Sequence, residues 1–210
     1  MEIVEFGNTS ADIVLIQPAG DHEIDNLEKE VELIRSMTDK DFMLAAFHVS
    51  DWNNELSPWK APAVFGNEDF GDGAADTLME IVKYCKDSSK VYYIGGYSLA
   101  GLFSLWAAYN SDVFNGACAV SPSIWFPGFT EYMRDNRIRC DKVYLSLGNK
   151  EEKTRNPVMA TVGDRIREVY TLLKNQDTPC TLEWNQGNHF KEADLRTAKG
   201  FAWMLEQKCQ

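Results

Sequence analysis

The order of elements along these 210 residues predicts an α/β fold in three layers, a mostly parallel sheet with helices on both faces. Two observations carry this expectation. Short, near-continuous apolar runs recur along the chain, as strands covered on both faces require. Between them lie stretches whose apolar residues repeat at helical spacing.

The strand candidates are Val14-Leu15-Ile16, Phe42 to Phe47, Val91 to Ile94, Ala117 to Val120 and Val143 to Leu147. Thr181 to Trp184 reads as a last, edge-like strand, and Ile3 to Phe6 as the only N-terminal one, so a reduced sheet start is expected. The helix stripes are Ile24-Leu27-Val31-Ile34, Leu78-Ile81-Val82-Cys85, and Val158-Val162-Ile166-Val169-Leu173 behind an Asn156-Pro157 start. A C-terminal stripe follows at Leu195, Ala198, Ala202 and Leu205. No repeat or linker interrupts this order, and one domain over 1–210 is expected. The stretch 50–73 has no clear period, but its two tryptophans and its phenylalanines suit a packed functional loop better than disorder.

Composition narrows the function classes. Hydrophobic residues make up 44% and charged residues 25%, an ordinary globular balance. A net charge of -11 repels phosphate backbones and anionic membranes, so neither nucleic acid nor a membrane is an expected partner. Five scattered cysteines (Cys85, Cys118, Cys140, Cys180, Cys209) form no CxxC pair, and the three histidines are dispersed. No metal site, cofactor or disulfide framework is expected, and the cysteine usage suits a reducing cytoplasm. The segment Met1 to Glu5 has no basic, then apolar, leader pattern, and no apolar run reaches the length of a bilayer span.

The sharpest motif is Gly95-Gly96-Tyr97-Ser98-Leu99-Ala100-Gly101. It follows the strand at 91–94 and enters a helical stretch, the setting of a nucleophile elbow, a tight turn that lifts a serine above a sheet. Small residues are needed two positions either side of the serine, and Gly96 and Ala100 supply them. The plain alternative is a glycine-rich strand-to-helix turn with a capping serine. Together with Ser121-Pro122-Ser123-Ile124-Trp125, the segment 96–109 resembles the esterase branch of the α/β-hydrolase superfamily, which includes enterochelin and feruloyl esterases. The likeness extends over roughly residues 12–205, with Ala100 standing where the family usually has glycine. It implies an α/β-hydrolase fold with little or no cap domain, and a triad in the order nucleophile, acid, histidine.

That order makes Ser98 the nucleophile and His189, after the last strand, the base; His22 and His48 precede Ser98. The acid falls after the strand at 143–147, where Glu151 is the first candidate and Glu152 the second. Both could equally be solvated carboxylates beside Lys150, Lys153 or Arg155. The Leu99 N–H is the expected first oxyanion donor, with Ala19 or Gly20 supplying the second and Gln17 contributing nearby. Trp52, Trp59, Tyr97, Trp125 and Phe126 are candidates to line a pocket for a small or aromatic ester, or else loop-anchoring core. A carboxylic ester is the expected substrate, with thioesters and lactones open to the same machinery. The reading from another class is a non-catalytic binding or interaction module on the same fold. A Rossmann-type nucleotide site is disfavoured, because no G-x-G-x-x-G follows the first strand.

Overall fold

The computed structural model describes residues 1–207, so Cys209 lies outside the described residues. Seven strands form one sheet: β1 (Ile3–Gly7), β2 (Ile13–Ala19), β3 (Met43–His48), β4 (Val91–Tyr97), β5 (Gly116–Val120), β6 (Lys142–Gly148) and β7 (Cys180–Asn185). Their spatial order is β1-β3-β2-β4-β5-β6-β7. All neighbours pair in parallel except β1, which runs antiparallel along β3 with Ile3 opposite Phe47. This is the α/β-hydrolase architecture expected from the sequence, with one short strand standing for its N-terminal part.

Among the described residues, eight α-helices complete the layers: α1 (Asp21–Ile24), α2 (Leu27–Arg35), α3 (Trp52–Glu55), α4 (Ala74–Tyr84), α5 (Leu99–Asn110), α6 (Phe129–Asp135), α7 (Val162–Asn175) and α8 (Ala193–Glu206). The strands feed two cores by strict alternation. Met43, Ala45 and Phe47 of β3 face the core made with α4 to α7, whereas Leu44 and Ala46 face the core made with α2 and α8. The central helix α5 is buried along Leu99–Tyr109, wedged between the sheet and its neighbours. Helix α8 lies close on β4 and β5. Gly95 permits this, because a Cβ there would stand 2.6 Å from the ring of Phe201.

Three local expectations are refined. The stripe beginning at Ile24 is split between α1 and α2 at Asp25-Asn26. Asn156 caps a short 3₁₀ turn and not α7 itself: its Oδ1 accepts from the N–H groups of Val158 (3.0 Å) and Met159 (3.2 Å), and α7 begins at Val162. The aperiodic stretch at 50–73 is ordered around α3 and an isolated bridge between Ala61 and Phe70. Its aromatic residues pack against the segment 125–132, with Phe70 and Phe126 ring centroids 5.1 Å apart. Among the described residues, no helix is long and apolar enough to cross a membrane, and no group of three or more His, Cys, Asp or Glu could hold a metal ion.

Candidate active site

Ser98 joins β4 to α5 in a backbone conformation (φ 58°, ψ −119°) that side chains rarely adopt. Such strain persists only where packing over-determines it, and here it does. A Cβ on Gly96 would stand 2.7 Å from the Cβ of Ala100, and one on Gly101 would stand 2.9 Å from the carbonyl oxygen of Gly96. The Ser98 N–H is held by the carbonyl of Val120 (3.0 Å), and its carbonyl accepts from Ser123 N–H (3.0 Å). The hydroxyl is thereby lifted off the strand end at the head of α5.

His189 reaches it from the loop between β7 and α8. Its Nε2 lies 3.0 Å from Ser98 Oγ, and its Nδ1 lies 2.7 Å from Glu151 Oε2. A carboxylate can only accept, so the proton sits on Nδ1 and Nε2 is left to accept from the serine hydroxyl. Ser123 Oγ, 3.3 Å from Ser98 Oγ, is then the donor of that second contact.

Glu151 opens a 3₁₀ turn after β6 and is 7% exposed. Its Oε1 accepts from Ser121 Oγ (2.7 Å), Gly148 N–H (2.7 Å) and Arg196 Nη1 (3.0 Å). Burial pushes this carboxyl up, but hydrogen bonds from His189, Ser121 and Gly148 outweigh it and hold it below the ordinary carboxylate range. Glu152, the alternative acid, turns the other way and pairs with Arg167 on α7 (3.2 Å).

The oxyanion expectations fare unevenly. Leu99 is the first residue of α5, where an N–H has no acceptor four residues earlier inside the helix. Gly20 does not offer a free donor: its N–H is taken by Glu23 Oε2 at 3.1 Å as α1 begins. Ala19 ends β2 in the ladder, its carbonyl accepting from Val49 N–H (2.9 Å). Gln17 is buried beside Glu30 of α2 and lines a small cavity of about 50 Å³ together with Trp52 and Tyr97.

The pocket candidates also separate. Trp125 lines a cavity of about 290 Å³ together with His189 and Glu151. Trp52 lies over Gly20 and lines a larger open trough of about 1250 Å³ along residues 50–71, which none of Ser98, His189 and Glu151 lines. Trp59 and Phe126 are anchors and not lining. The Trp59 Nε1 donates to the Pro127 carbonyl (2.9 Å), its ring packs on Phe126 and Phe129, and Phe126 is 2% exposed. Tyr97 donates from its hydroxyl to the His189 carbonyl (2.6 Å) and so braces the histidine loop. His48 sits 2.6 Å from Asp21 Oδ1 through Nε2.

Two participants were not legible in the sequence. Ser123 had only its place in the Ser-Pro-Ser segment to recommend it. Arg196 is an arginine on an amphipathic helix, yet it is 1% exposed and holds Glu151, Tyr97 OH (3.2 Å) and the carbonyls of Gln186 (3.1 Å) and Asn188 (3.0 Å).

Comparison with known proteins identifies the class of fold. No family model matches the chain, and no curated protein matches it by sequence. Solved structures do. The siderophore hydrolase EstA from Aspergillus nidulans superposes with a TM-score of 0.69 at 18% identity, over 97% of this chain and 86% of that one. FphF, a fluorophosphonate-binding serine hydrolase of Staphylococcus aureus, superposes at 0.63 with 10% identity, over 98% and 99%. The enterobactin esterase FES from Shigella flexneri superposes at 0.62 with 13% identity, over 96% of this chain and 55% of its own longer chain. At these identities the likeness establishes the fold, which is that of the α/β hydrolases.

Proposed function

We propose that this chain is a serine hydrolase of carboxylic esters, acting as a single catalytic domain through Ser98, His189 and Glu151. The observation that carries the reading is the strained Ser98, its Oγ 3.0 Å from a histidine whose far nitrogen lies 2.7 Å from a buried carboxylate. A serine hydroxyl is a weak nucleophile until an adjacent base takes its proton, and that base needs a fixed tautomer. The esterases and serine hydrolase among the structural neighbours favour the same chemistry.

In the proposed reaction His189 Nε2 takes the proton of Ser98 Oγ as that oxygen bonds to the ester carbonyl carbon. The Leu99 N–H stabilises the resulting oxyanion. Collapse breaks the bond to the alcohol oxygen, and the imidazolium returns its proton to that leaving group. Water, deprotonated by His189, then attacks the acyl carbon; the bond to Ser98 Oγ breaks, and His189 returns the proton to that oxygen as the acid leaves. Glu151 stays ionised throughout and stabilises the imidazolium.

The test is hydrolysis of p-nitrophenyl esters from acetyl to octanoyl, with labelling by an alkyl fluorophosphonate, for wild type and Ser98→Ala. Turnover and labelling that both vanish in Ser98→Ala are the expected result. A wild type that neither turns over nor labels would favour a binding module, and turnover surviving in Ser98→Ala would remove Ser98 from the mechanism.

A further inference from the structure

The cavity of about 290 Å³ beside His189 has a composition that the hydrolytic reading alone does not explain. One wall is apolar, made by Trp125, Met159 and Val162. At its edge stands Phe190, 89% exposed, its ring centroid 5.6 Å from that of His189. No other exposed large hydrophobic approaches that exposure among the described residues. An aromatic ring left in water next to a catalytic base gains by covering an apolar ligand.

The remaining feature is charge. Lys150 and Lys153 also line this cavity, and neither has an ion-pair partner among the described residues. Of the neighbouring cations outside the lining, Arg167 pairs with Glu152 and Asp164, Lys191 with Glu192, and Arg196 with Glu151. The one carboxylate in the lining, Glu151, is already committed to Arg196 and His189. In a chain of net charge -11, two uncompensated ammonium groups at one cavity are a local reversal of sign.

We propose that this cavity is a subsite for an amphiphilic anion, so that the substrate is an ester with a short apolar or aromatic body ending in a carboxylate or similar acid. The body lies against Trp125, Met159 and Phe190, and Lys150 and Lys153 hold the acid group. The proposal rests on the Ser98 reading and adds to it the substrate class and two specificity-determining residues. Charge at the mouth also steers anionic esters toward Ser98 against the repulsion of the rest of the surface.

The experiment compares kcat/KM within two matched ester pairs, each value divided by the ester's rate with hydroxide. Mono-p-nitrophenyl glutarate against p-nitrophenyl pentanoate places the acid on the acyl half. 4-Acetoxybenzoate against phenyl acetate places it on the alcohol half. Wild type should favour the anionic member of one pair by about tenfold, a preference that shrinks in high salt because exposed charges are screened. Lys150→Gln/Lys153→Gln should bring that ratio close to one, and Lys150→Glu/Lys153→Glu should carry it below one. Fluorophosphonate labelling of each variant shows that the Ser98 site is intact. Turnover of the neutral esters with no anionic preference in either pair, or a preference unchanged in both double variants, overturns the subsite and leaves the hydrolase reading standing. Failure to turn over or label any probe overturns that reading first.

Discussion

Arg196 holds Glu151 and the His189 loop with one guanidinium: Nη1 donates to Glu151 Oε1 at 3.0 Å, while Nη2 donates to the carbonyls of Gln186 and Asn188 at 3.1 and 3.0 Å. The proposed acid and the segment that carries the proposed base are thus tied to one side chain on α8. A planar fork with several donors does this; a point charge does not.

Removing that fork leaves a buried carboxylate and two carbonyls short of donors. Arg196→Gln should lower stability by about 3–5 kcal/mol, the usual cost of breaking a buried pair from one side. Arg196→Lys keeps the charge and loses the geometry. Its kcat should fall while KM stays near wild type, because the substrate contacts are elsewhere. Thermal unfolding and steady-state kinetics on both variants check this, and unchanged kcat in Arg196→Lys would reduce Arg196 to a stabilising role.

The two adjacent glutamates should separate cleanly. Glu151→Gln should lower kcat by on the order of 10³-fold or more, because the amide no longer enforces the reactive histidine tautomer. Glu152→Gln should stay within about threefold, since the surface pair with Arg167 that it gives up is worth little. The comparison is made on p-nitrophenyl butyrate.

Glu30 supplies a pH dependence of stability. It is 4% exposed, and burial, reinforced by the charges of Asp194 and Glu23 against a weaker opposing Gln17 hydrogen bond, pushes its carboxyl from 4.5 up to about 8. Protonation also supplies a donor where Gln17 Oε1 and Glu30 Oε1 both lack a hydrogen-bond partner. The folded state therefore holds this proton more tightly than the unfolded chain. This contribution is fully present below about pH 4.5 and is lost as pH rises toward about 8. Glu30→Gln mimics the neutral form, so its melting temperature should match wild type near pH 5 and exceed it near pH 8.5. Parallel melting curves across that range would refute the assignment.

The elbow should tolerate no added carbon at Gly96. A Cβ there meets that of Ala100 at 2.7 Å, so Gly96→Ala should destabilise the protein by about 1–3 kcal/mol, a typical overpacking cost. Because the strain falls on the Ser98 turn, fluorophosphonate labelling should slow in the same variant.

The residues themselves determined the layers and the elbow, while the order of the proposed triad came from the family resemblance. Alternating burial along β3 and the helical stripes of α2, α7 and α8 are short-range patterns, which the pleat and the helical turn convert directly into faces. The elbow at Ser98 is equally local, because its small neighbours answer a clash within five residues. What only the tertiary structure decided is which atoms meet. Glu151 and Glu152 are chemically alike and adjacent; the 3₁₀ turn after β6 sends one to His189 and the other to Arg167. Gly20 had the right place for an oxyanion donor, but Glu23 claims its N–H as α1 starts. Arg196 carries no signal of its own in the sequence; the packing of α8 against the sheet buries it beside Glu151. Local geometry follows from spacing, whereas partners follow from sheet order and burial, since each buried polar group must find whichever donor or acceptor the packed elements bring within reach.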